Sequence, residues 1–151
     1  MLQRIQSVYL FLIVILMVSA TYLPLIYFVG AGSGLVILEA MGFWTGDVYA
    51  PHTWGILSLG VLSAIIAFIT IFFYKNRNKQ ILLCKINAAF IIAFYLTVSL
   101  YVYSVRGEYN FVLESVQFGL VFPFIALILD FLAYARIKKD EKLVRSLDRI
   151  R

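Results

Sequence analysis

Three places in this 151-residue sequence set ionisable or ligating side chains where they could do chemistry. The first is Asp130, an acid inside the apolar run Phe118 to Ala135. A charge within a spanning helix costs roughly 2.5–3.5 kcal/mol on insertion scales, so such a group turns inward and takes a partner. Asp130 lies six residues before Arg136, and Lys85 lies six residues after Lys79. At 1.5 Å per residue both sit roughly 9 Å inside a basic edge. On antiparallel helices this equal depth predicts a Lys85–Asp130 ion pair, with Asn87 or Tyr134 satisfying leftover valences. A helix-locking pair fits best. A proton or ion relay has less support, because a single shallow acid with no second acid or histidine across the membrane makes a poor pathway. Snorkelling of the charge to the interface is the third reading.

The second place is His52, the single histidine, with Asp47 and Glu39 near it in sequence. Their spacing matches no zinc motif, so no metal site and no cofactor are expected, and a loop histidine beside aromatic residues is the better account. No Ser-His-Asp order, nucleotide-binding loop or paired-histidine haem ligation is present, so no catalytic residue is assigned. The lone Cys84 excludes an internal disulfide. The third place is the tail from Ile137 to Arg151. Leu143, Leu147 and Ile150 make an apolar stripe, and Lys138, Lys139, Lys142, Arg145, Arg149 and Arg151 supply the charge. This pattern is a basic amphipathic helix that lies on anionic lipid or packs on a partner.

The elements that must position these residues follow from composition. The chain is 63% hydrophobic and 14% charged, against about half and a quarter for soluble domains. It belongs to the membrane class and has the length of one small bundle. The net charge of +5 does not point to nucleic acid, because the basic residues flank apolar runs and no soluble basic face appears. Four runs are long enough to span a bilayer: about 7–28, 54–74, 80–103 and 118–136. Val18-Ser19-Ala20 resembles a signal-peptide cleavage site, but the apolar run continues through Phe28, so an uncleaved first helix is expected, kinked or ended near Pro24. Gly60, Ala64 and Ala67 share one face of the second run, and Ala88, Ala89 and Ala93 offer the third a close-packing surface.

Between the spans lie two outer segments. In the first, Leu35 to Leu38 is too short to cross and too apolar for a linker; Trp44, Tyr49 and Trp54 are placed at the headgroup level. In the second, alternation over Tyr109 to Leu113 suggests a strand that pairs with the Leu35–Leu38 segment. A re-entrant loop or a helix extension fits that stretch equally. The fold class expected is therefore an all-α membrane protein, a four-helix bundle with a small outer cap that has room for short strands.

Alternate threading puts both termini and the 75–79 turn on one side. Twelve lysines and arginines fall there, and Arg106 alone falls on the other. The basic side is expected in the cytoplasm, both termini inward.

The two ends of the chain carry a family resemblance. Met1-Leu2-Gln3-Arg4-Ile5-Gln6-Ser7 with Tyr9-Leu10, the central Arg77-Asn78-Lys79-Gln80 with Leu83-Cys84, and Ile137 to Ser146 followed by Asp148-Arg149-Ile150-Arg151 resemble a family of small bacterial membrane proteins, the domain of unknown function 4293. The resemblance implies a four-helix protein of the inner membrane in the Bacteroidota lineage, and it brings no activity with it. The expected role is a non-catalytic accessory subunit that docks on other inner-membrane subunits, with the bilayer and its anionic inner-leaflet lipids as the other partner. The alternative is a small carrier or lipid-binding protein that uses the interhelical cavity.

Overall fold

The computed structural model describes residues 2–30, 34–45, 48–50, 53–109 and 112–148. Four helices form its body: α1 (Leu2–Tyr22), α2 (Trp54–Phe72), α3 (Arg77–Tyr109) and α4 (Phe118–Asp148). All four are long and apolar enough to cross a membrane. Each packs on its two neighbours in chain order, and α4 closes the ring on α1.

One spacing organises every helix. Buried residues of α1 fall at 6, 10, 13, 17 and 20, with Thr21 beside the last, and those of α4 at 119, 123, 126, 130, 133, 137 and 140. In α2 they fall at 56, 60, 63, 67 and 70, with Ala64 flanking the row, and in α3 at 80, 84, 87, 91, 94 and 98, with Ala88 flanking it. Alternating steps of four and three give a 3.5-residue repeat, the seam that makes helices cross at shallow angles and interlock. The remaining surface is apolar nearly all round, as a lipid-facing bundle requires. The small residues Gly60, Ala64, Ala67 and Ala88 are buried in the contacts, whereas Ala89 faces outward.

The sequence expectation for the first span, 7–28, needs correction. The helix ends at Tyr22, and Ile26–Gly30 leaves it as strand β1. Pro24 sets this end: it disfavours the helical region at Leu23, whose N–H makes the last helical bond, to Ser19 O at 3.0 Å. The sheet then begins at once, with Leu25 N–H donating to Leu38 O at 2.8 Å.

Five antiparallel strands cap this end of the bundle, so the fold is mostly helical rather than all-α. They are β1, β2 (Gly34–Leu38), β3 (Phe43–Thr45), β4 (Val48–Ala50) and β5 (Val112–Val116), in the order β4-β3-β2-β1-β5. The Leu35–Leu38 segment is a strand, but its neighbours are β1 and β3. The second outer strand starts at Val112 and pairs with β1, not with β2. Tyr109, placed in that strand from sequence, is instead the last residue of α3. Gly34 opens β2 at a φ of +76°, a left-handed conformation that glycine adopts without strain. One sheet face buries Leu25, Ile26, Phe28, Val36 and Leu38 against Ile56, Phe94 and Val98 of the helices.

The tail expected to be helical from Ile137 continues α4 without a break to Asp148, with Arg145 and Leu147 in its final turn. Arg149, Ile150 and Arg151, and likewise Asp47 and His52, lie outside the described residues.

Candidate functional site

Polar side chains occupy the bundle seam, where apolar ones would sit in a soluble protein. At mid-bundle, Ser63 of α2, Asn87 of α3 and Asp130 of α4 make a chain. Ser63 Oγ donates to Asn87 Oδ1 at 2.7 Å, and Asn87 Nδ2 donates to Asp130 Oδ1 at 3.2 Å. Asp130 is 1% exposed. In hydrocarbon no water relieves an unpaired polar group, so such chains fix which helices meet and at what height.

Nearer the termini, Gln6 Nε2 of α1 donates to Asp140 Oδ2 of α4 at 3.0 Å, and Arg77 Nη1 of α3 donates to the Asp140 carbonyl at 3.2 Å. Gln80 Nε2 reaches across the α2–α3 turn to Thr70 O at 3.0 Å, satisfying a carbonyl near the end of α2. At the sheet end, Tyr95 donates to Leu120 O at 2.6 Å. That bond lies beside the Gly119 carbonyl, whose usual helical donor is removed by Pro123. Buried Thr53 ties the start of α2 to the cap through the carbonyls of Glu39 and Ala40. Among the described residues every buried side-chain polar atom has a partner.

Lys85 and Asp130 do line one groove, between α3 and α4, together with Cys84, Ala88, Ala89, Ile92, Phe131 and Tyr134. The groove holds about 380 Å³. The two residues do not form the direct ion pair expected from their depth. Asp130 takes its hydrogen bond from Asn87, and the Lys85 ammonium lies 5.8 Å from the centroid of the Tyr134 ring. Lys138 approaches the same ring at 5.5 Å, and its Nζ donates to Tyr134 Oη at 3.4 Å. Asn87 and Tyr134, expected to take leftover valences, are thus the main partners.

A family model described as a domain of unknown function, DUF4293, matches residues 2–150. The chain belongs to this family. No curated protein matches it.

The other predicted residues are spread over the two ends of this DUF4293 chain. Lys139 lines a small recess with Ile5, Gln6, Arg136, Asp140 and Leu143, while Lys142 sits in the adjoining turn of α4. Trp54 opens α2 and is exposed, Trp44 lies half-exposed in β3, and Tyr49 occupies the middle of β4. Sequence reasoning missed Ser63, Gln6, Asp140 and Tyr95. The signal that would have found the first three is their place in the three-four seam. Among the described residues, no three His, Cys, Asp or Glu side chains stand close enough to hold a metal.

Proposed function

We propose that this chain is a non-catalytic integral membrane protein, a structural subunit that docks on a larger assembly of the bacterial inner membrane. The basic end, with both termini, faces the cytoplasm in this reading; twelve basic residues against Arg106 alone support it. The polar groups of the interior are spent on one another, so the bundle acts as a rigid stem. The surface left for recognition is the sheet. The observation that carries the proposal is β5: among the described residues it pairs with β1 on one side only, and Val112, Leu113 and Val116 are exposed on it. An apolar edge strand with a free row of backbone donors and acceptors is a template for another chain.

The test is photo-crosslinking from Leu113 in intact cells, followed by purification in mild detergent. The reading expects one membrane protein, in fixed proportion, both crosslinked and co-purified. A lone chain under every gentle condition, with crosslinks to lipid only, overturns it.

A further inference from the structure

The groove between α3 and α4 has chemistry that the docking role does not use. Two ammonium groups, those of Lys85 and Lys138, converge on one aromatic ring from two helices. Among the described residues neither is salt-bridged, and the nearby Asp130 is turned inward onto Asn87. Tyr134 accepts from Lys138, which leaves its own hydroxyl hydrogen free to donate. Lys85 and Tyr134 line the groove and Lys138 adjoins it through the Tyr134 hydroxyl, so two cations and a hydroxyl donor border one ring, a setting that suits a phosphate. The groove continues from that point toward the sheet end, past Ala88, Ala89, Ile92 and Phe131. It is apolar there and opens sideways, off the bundle's outer surface.

We propose that this groove binds one anionic glycerophospholipid from the leaflet at the basic end. The phosphate lies among Lys85, Tyr134 and Lys138, and an acyl chain follows the alanine-lined channel toward mid-bilayer. The polarity matches a lipid in its natural orientation: the charged residues sit nearer the termini, and the apolar lining sits deeper. The site is lateral, and it is distant from β5. A monomeric chain that still holds lipid would therefore sink the docking reading alone.

The experiment is native mass spectrometry of the full chain in detergent, offered phosphatidylglycerol and phosphatidylcholine with identical acyl chains. The wild type retains one phosphatidylglycerol in preference to phosphatidylcholine. At about 1 kcal/mol, or about fivefold, per lysine, the paired variant K85Q/K138Q lowers that preference by about thirtyfold. K85R/K138R keeps it, which separates lost charge from lost folding. K142Q, on the same end but outside the groove, leaves it unchanged. Ala89→Phe narrows the channel and weakens retention with the charges intact. Three results would overturn the proposal: an undiminished preference in K85Q/K138Q, an equal loss in K142Q, or displacement of the lipid by equimolar inorganic phosphate.

Discussion

Replacing Asn87 by alanine removes the acceptor for Ser63 and the donor for Asp130 in one step. The two bonds join three helices, so the loss falls on association rather than on any single helix. Interhelical hydrogen bonds in membranes average about 0.6 kcal/mol and reach about 1.7. Ser63 has a fallback, its own helix's carbonyl one turn earlier. Asp130, 1% exposed, takes its side-chain hydrogen bond from Asn87 alone among the described residues. The expected cost is therefore about 2 kcal/mol for Asn87→Ala, with Asp130 carrying the larger share. Ser63→Ala loses one bond and should cost about 0.6 kcal/mol. Asp130→Asn keeps an oxygen for Asn87 Nδ2 and should cost less than Asn87→Ala. Unfolding in mixed micelles by rising dodecyl sulfate measures each value, and the Asn87/Asp130 double-alanine cycle isolates the pair. If Asn87→Ala costs no more than Ser63→Ala, or the cycle shows no coupling, the chain of bonds is not what holds these helices. If Lys85→Gln costs as much as Asn87→Ala, the acid is paired with the lysine after all.

Three further outcomes follow from the geometry. A β-carbon would stand 2.5 Å from Pro24 O at Gly119, 2.8 Å from Thr21 Cγ2 at Gly60 and 3.2 Å from Thr97 Cγ2 at Gly55. The same micelle unfolding should rank alanine variants in that order, with Gly119→Ala losing about 2 kcal/mol because its obstacle is backbone, and Gly55→Ala near neutral. Gln6→Leu abolishes the bond to Asp140 and should destabilise by about 1 kcal/mol, read as a lower dodecyl sulfate midpoint. In a Cys84→Ser background, a membrane-impermeant maleimide should label Leu35→Cys, exposed on β2 away from the docking edge, in cells whose outer membrane alone is opened, and Asn78→Cys only after lysis; the reverse pattern would invert the orientation.

The spans and their number were legible because bilayer thickness makes run length informative. The end of α1 was legible only in part: Pro24 is expected to kink or end it, but Leu25 to Phe28 is as apolar as the helix before it, so the span runs on to Phe28 in the sequence reading. Composition cannot separate a buried strand from a buried helix, and only Pro24 marks the change. The partner of Asp130 was misassigned for a different reason. Depth fixes height along a helix and says nothing of direction around it. Lys85 and Asn87 are two residues apart, about 200° around the axis. One of them can face the seam, and the step pattern Gln80, Cys84, Asn87, Ile91 selects the asparagine. The pairing of β5 with β1 was hidden by the α3 helix, which runs further than the apolar count suggested, to Tyr109.

The two ends of the molecule are held by different forces. Within the bilayer, lipid tails are as apolar as leucine, so burying leucine against leucine brings little specificity. There the seam relies on close approach at Gly60, Ala64 and Ala67 and on hydrogen bonds at Ser63, Asn87 and Asp130. In the proposed orientation the sheet end meets water, and there the hydrophobic effect acts at full strength. Large side chains accordingly gather there, with Phe28 and Phe94 fully buried between sheet and helices. Gly119 links the two regimes: its N–H donates to Pro24 O at 3.2 Å, joining the first turn of α4 to the segment that leads into β1. The cap therefore fixes where α1 and α4 begin to pack, and the Gln6–Asp140 bond fixes their register at the far end.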